Sequence, residues 1–155
     1  MNDARDSPDT VTEVPDQAPP PPDEADRVRP GGFLLELVPI PVSDLDRAKS
    51  FYADSLGFHV DVDVAPADGV RIVQLTPTGS ACSILLTEGI ADLDGEPGSI
   101  RRLYLVVRDI EAARAELVGR GVEVAEIVDA GGGMLLAGFA DPDGNTWTLQ
   151  YMPWR

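Results

Sequence analysis

The stretch Val42-Ser43-Asp44-Leu45-Asp46-Arg47-Ala48, followed by Thr76-Pro77-Thr78-Gly79, has a second copy 65 residues later. That copy reads Val107-Arg108-Asp109-Ile110-Glu111-Ala112-Ala113, followed by Asp141-Pro142-Asp143-Gly144. Val42, Asp44, Leu45 and Ala48 recur as Val107, Asp109, Ile110 and Ala113, while Pro77 and Gly79 recur as Pro142 and Gly144. One offset therefore joins a helix start to a turn lying about 35 residues further on. A fixed internal period argues for duplicated supersecondary units packed on each other. Any site then falls at equivalent positions of two halves, where its residues can be checked.

Each copy predicts strand–helix–strand–strand–strand. In the first, Phe33 to Val42 is an apolar run interrupted by Pro39 and Pro41. Proline cannot donate to a ladder, so this is an edge or irregular strand. Ser43 or Asp44 caps a helix whose apolar face carries Leu45, Ala48, Phe51 and Tyr52, and Leu56-Gly57 ends it. Phe58 to Val64 alternates, with Phe58, Val60, Val62 and Val64 on one face and His59, Asp61 and Asp63 on the other. Val70 to Leu75 and Ala81 to Thr87 are two further strands, joined by the Pro77–Gly79 turn. Residues 88–99, with three glycines, a proline and four acidic residues, read as a linker. The second copy has strands at Leu103–Val107, Val122–Val128, Met134–Ala140 and Thr146–Met152, and a helix capped by Asp109 and ended by Gly121. Apolar sheet faces under two helices leave the opposite faces to meet or to curve around a cavity.

Residues 1–30 stand apart. They hold seven prolines and eight acidic residues against three arginines, which is −5 of the chain's −15. Too little apolar surface is available there to offset ordering entropy, so the segment reads as a disordered, solvated tail. Its acidic start and lack of an apolar stretch exclude a secretory signal, and no apolar run is long enough to span a membrane. The remaining −10 argues against nucleic acid and anionic membranes as partners. Cys82 is the one cysteine, so neither an internal disulfide nor a thiolate metal cluster can form, and a cytoplasmic location is expected.

Pro41 to Tyr52 followed by Leu56-Gly57-Phe58 resembles the opening of the glyoxalase/bleomycin-resistance/extradiol-dioxygenase family, the vicinal oxygen chelate superfamily. Asp109 to Ala113, Gly121-Val122-Glu123-Val124 and Phe139 to Asn145 are similar to its second-half signature. The likeness covers about residues 33–152. It implies an α+β fold of two tandem βαβββ modules, about 33–88 and 100–152, forming a cup-shaped mixed sheet within a domain spanning 31–155. By resemblance alone, a homodimer is expected. Family members include lyases, isomerases, dioxygenases, thiol transferases and drug-binding proteins, so the fold does not choose an activity.

Metal-dependent members place four ligands, usually His, Gln or Glu, on strands facing the cup. Here the matching positions are Leu37 and Arg102, each seven residues before a capping aspartate, and Thr148, four residues after the Asp-Pro-Asp-Gly turn. The fourth is Ser83 by the constant offset, or Leu85 if the Ile-Leu-Leu-Thr stretch is matched directly. Leucine offers no lone pair, arginine is a permanent cation, and isolated hydroxyls are poor ligands. No cofactor is expected from this set, with a divalent metal left open through two residues. Glu36 would reach the cup after a one-residue register slip, and His59 is read as solvated beside Asp61 and Asp63.

Alternation along the strands adds Tyr104, Gln150 and Thr87 to the cup. Arg102 there can bind a carboxylate, enolate or phosphate with its fork of donors, or instead pair with an acidic neighbour or reach solvent. Trp147 and Leu149 fall on the opposite face, under the second helix. Three functions remain. The first is binding of a small organic molecule without transforming it. The second is a metal-independent lyase or isomerase, in which Arg102 would stabilise an oxyanion and Tyr104 serve as acid or base. The third, ranked last, is a metal-dependent lyase or dioxygenase.

Overall fold

The computed structural model describes residues 32–155, and the tail read above falls outside them. The first module comprises β1 (Leu37–Pro39), α1 (Leu45–Ser50), β2 (His59–Ala67), β3 (Val70–Thr76) and β4 (Ser83–Glu88). Helix α1 widens into a π-helical turn over Phe51–Ser55. The second comprises β5 (Leu103–Val106), α2 (Ile110–Gly119), β6 (Val128–Asp129), β7 (Leu135–Ala140) and β8 (Thr146–Tyr151). The two sheets are ordered β1-β4-β3-β2 and β5-β8-β7-β6, with the first pair of each parallel and the others antiparallel. The duplication read from the 65-residue period is thus one of topology as well, an α+β fold of two tandem modules.

Local chemistry sets the element ends. Asp44 and Asp109 are extended residues whose carboxylates each accept the N–H three positions on, from Arg47 and Ala112, at 2.9 Å. Ser43 does not cap; its hydroxyl turns to Asp143 of the other module. The expected first strand shrinks to three residues; Pro39 and Pro41 interrupt its donor row at the C-terminal end, and Phe33, Leu34 and Leu35 ahead of it are exposed.

Two expectations are corrected. The alternation of β2 does not run through. His59 pairs with Thr76 and Val60 with Leu75, but the next pair is Val62 with Gln74, so Asp61 is an extra, bulged residue. Beyond the bulge the faces exchange. Val62 and Val64 move to the side opposite α1 and stand exposed, whereas Asp63 moves to the helix side and binds Arg71 and Lys49. The stretch Val122–Val128 is not a continuous strand. Only a bridge from Val124 to Phe139 and the two-residue β6 pair with β7. Arg114 of α2 supplies the missing donors, binding the carbonyls of Ala125 (2.8 Å) and Val124 (3.1 Å). The period-two burial of Val122 and Val124 survives without the ladder.

One core serves both modules. It joins Leu45, Ala48 and Tyr52 of the first helical segment and Ile110 and Leu117 of α2 to the helix-facing side chains of both sheets, Val73, Leu75, Ile84, Leu86, Ala137, Phe139, Trp147 and Leu149. Trp147 and Leu149 are therefore core, as read. Each sheet turns its other face away from this shared interior.

Polar bonds within the core tie the modules together. The Asp141 carboxylate accepts the N–H groups of Asp143 (3.0 Å) and Asn145 (2.9 Å), the Asn145 amide (2.8 Å) and the Tyr52 hydroxyl (2.7 Å). Tyr52 in turn accepts from Trp147 Nε1 at 3.2 Å. Burial, and then the charge of Asp141, hold the Tyr52 phenol far above its ordinary range. Asn145, fully buried, donates to the carbonyl of Pro41 (2.9 Å) and accepts from Ile100 N–H (3.0 Å). Replacing Asn145 by Ala orphans several buried groups at once and is expected to cost about 3 kcal/mol. Arg47→Ala removes the half-exposed cation of an ion pair with Asp143 and its bond to Ser43 Oγ, while the buried Asp143 carboxylate keeps both bonds from Ser43, and it should cost about 1 kcal/mol. Urea denaturation of both variants checks the contrast, and equal losses would contradict this assignment.

Candidate ligand-binding site

The faces turned away from the core carry the residues read as cup-lining. On the first sheet, Leu37 stands opposite Ser83, Pro39 opposite Leu85, and Gln74 opposite Leu85. On the second, Tyr104 stands opposite Thr148, which is also opposite Gly138, and Gln150 is opposite Leu136. Pro39 and Tyr104 are 65 apart, so the ladders make Leu85 the equivalent of Thr148. Ser83 lies on the same face, two residues earlier. Thr87, on that face as well, is tied to Asp94 at 3.4 Å. Glu36 does not reach the cup. Its carbonyl accepts Ser83 N–H (2.8 Å), and its carboxylate, after burial, helps push the Cys82 thiol up in pKa. A raised thiol pKa makes a poor nucleophile.

The positions that the resemblance matches to metal ligands are then Leu37, Leu85, Arg102 and Thr148, side chains whose chemistry does not fit a divalent cation. Among the described residues, no three His, Cys, Asp or Glu side chains are gathered where they could hold an ion.

A groove of about 1140 Å³ crosses the second module, lined by Arg102, Tyr104, Leu136, Gly138 and Thr148 together with Arg114 and Val118 of α2 and most of the 122–128 segment. Arg102 has φ +58°, the only positive value at a non-glycine residue among those described. Its N–H donates to Thr146 Oγ1 at 2.8 Å. The left-handed backbone costs a non-glycine residue about 1–2 kcal/mol, and such strain concentrates at functional positions. Neighbouring Arg101 donates to the carbonyls of Gly98, Ile100 and Gly144. By contrast, the Arg102 guanidinium makes no ion pair or hydrogen bond among the described residues and is exposed beside the groove. Of the two alternatives to ligand binding, pairing with an acidic side chain is not seen among the described residues, whereas exposure to solvent is. Tyr104 is 48 % exposed, Thr148 is buried in the floor, and Gln150 donates to Met134 Sδ at 3.1 Å.

Sequence reading missed a polar row on the first sheet's outward face. His59 Nδ1 lies 2.9 Å from Asp61 Oδ1, the Thr76 hydroxyl donates to Asp61, Thr76 and Ser83 hydroxyls are 2.6 Å apart, and Gln74 Nε2 donates to Ser83 at 3.3 Å. Carrying the alternation from Ser83 across to β3 would have found Gln74 and Thr76. The bulge that brings Asp61 beside them leaves no mark in the sequence.

The sequence pattern of the Glyoxalase/Bleomycin resistance protein/Dioxygenase superfamily matches residues 32–149, and the chain belongs to that superfamily. Among solved structures it is similar to TnmS3, an antibiotic-binding protein from Streptomyces sp. CB03234, at 33% identity over 79% of this chain and 98% of that one, with a TM-score of 0.66. A glyoxalase/bleomycin resistance protein from the same organism shares 35% identity over 75% of this chain and 98% of that one, with a TM-score of 0.63. A superfamily member from Sphaerobacter thermophilus DSM 20745 shares 28% identity over 79% of this chain and 99% of that one, with a TM-score of 0.67. No curated protein matches the chain.

Glycine accepts φ +58° without the penalty that Arg102 carries. Arg102→Gly is therefore expected to raise stability by about 0.5 kcal/mol in urea denaturation, even as the cation is lost. Destabilisation by more than about 1 kcal/mol would show that the guanidinium packs structurally.

Proposed function

We propose that this protein binds a small organic molecule in its cup without transforming it, and does so without a metal. The observation that carries this reading is the strained Arg102, unpaired among the described residues, beside an open groove whose lining is mostly apolar. Convergent polar groups over an apolar surface are the usual composition of a small-molecule pocket. The similarity to an antibiotic-binding protein supports binding over turnover. Arg102, Tyr104, Thr148 and Gln150 are the contacts on the second module, and Leu37, Ser83 and Leu85 those on the first. Arg102 would take the ligand's carboxylate, enolate or carbonyl oxygen.

Two outward-facing half-cups make a closed site only against a second copy, so the binding unit is a homodimer in which unlike modules of two chains face each other. Val62, Val64, Tyr104 and Val106 are the exposed apolar side chains such pairing would cover. Among the described residues no helix is long and apolar enough to cross a membrane. With a single cysteine in the chain, the protein is assigned to the cytoplasm.

Naphthalene-2-carboxylate, an aromatic anion, is the probe for this site. Isothermal titration should show one saturable site per chain, and Arg102→Ala should weaken it at least tenfold, about 1.4 kcal/mol. Sedimentation should give a dimer. Absence of binding together with a monomeric species would overturn the reading.

A further inference from the structure

The row on the first sheet has a direction forced by its chemistry. An ionised carboxylate only accepts, so Thr76 spends its one proton on Asp61. The bond between Thr76 and Ser83 must then be donated by Ser83, which is buried and accepts in turn from Gln74 Nε2. All these donors point towards Asp61, whose carboxyl is held below the usual carboxylate range by Thr76 first and His59 second. The same rule applies at the other end. A neutral imidazole beside the remaining Asp61 oxygen must place its proton on Nδ1. Nε2 is then left as a bare acceptor on a ring whose side chain is 77% exposed, flanked on the same face by exposed Val62 and Val64.

We infer that His59, fixed in its Nδ1–H tautomer by Asp61, is a hydrogen-bond-accepting subsite on the first module that selects ligands carrying a hydroxyl, phenolic ones above all. This rests on the cup-binding reading and gives it a polarity. The second module contributes donors, chiefly Arg102, and the first contributes an acceptor backed by a carboxylate. A ligand would therefore present an oxygen acceptor at one end and a hydroxyl proton at the other. Asp61 is a positioning residue here, and His59 makes the contact.

His59 is the chain's only histidine, so its tautomer can be read directly from one imidazole spin system. At pH 8.5, long-range ¹H–¹⁵N spectra of the full chain should show a protonated Nδ1 and an unprotonated Nε2. Asp61→Asn can donate to Nδ1 and should swap the two. The binding probes are 2-naphthol and 2-methoxynaphthalene, which differ in the hydroxyl proton. Wild type should bind the naphthol at least tenfold more tightly. His59→Phe, a change at an exposed side chain, should abolish that preference, and Asp61→Asn should reduce or reverse it. Equal affinity of the two probes in wild type, a preference that survives in His59→Phe, or an Nε2–H tautomer in wild type would overturn the inference. Binding of naphthalene-2-carboxylate but of neither neutral probe would overturn it while leaving the cup reading intact. Failure of all three probes would remove both.

Discussion

A single buried carboxylate organises this molecule. Asp141 accepts four hydrogen bonds, three from its own turn and one from Tyr52 of the other module. A carboxylate is costly to bury without such partners, so the bonds of the turn and the bond from Tyr52 together offset that cost. Asn145 extends the joint to Pro41 and Ile100, and Trp147 closes it from the second sheet. Because the tie joins the helical side of one module to the sheet of the other, both helices lie in one core and both cup faces look outward.

At the positions that the family resemblance matches to metal ligands, this chain has Leu37, Leu85, Arg102 and Thr148. A permanent cation in place of a ligand preserves attraction for an oxygen atom but changes its source from an ion to a guanidinium. In the proposed cup, the row ending in Asp61 and His59 would offer the complementary polarity. Substrate orientation by hydrogen bonds of opposite sense needs no ion at the centre, and it gives specificity through the unmatched partner left behind when the wrong ligand enters.

Much of this was legible in the sequence. The 65-residue period carried the topology because capping aspartates and turn glycines have strict backbone roles, and these kept their spacing. Cup positions such as Tyr104 and Thr148 followed from strand alternation and lie on one face as expected. Alternation failed at Asp61, because a bulge is decided by pairing with β3 rather than by the strand's own residues. It failed at 122–128, where Arg114 of the preceding helix binds carbonyls that a ladder would have used. The backbone strain at Arg102 was likewise invisible, since no residue type announces that its backbone will be forced left-handed by a hydrogen bond to Thr146.

The most direct test of the central claim, an organic ligand held without a metal, is elemental analysis of purified, tag-free protein before and after soaking in Zn, Ni, Mn and Fe(II). The account predicts less than about a tenth of an equivalent retained per chain, because no competent ligand set converges among the described residues. Retention of a nearly stoichiometric ion would contradict it and return the cup to metal-assisted chemistry.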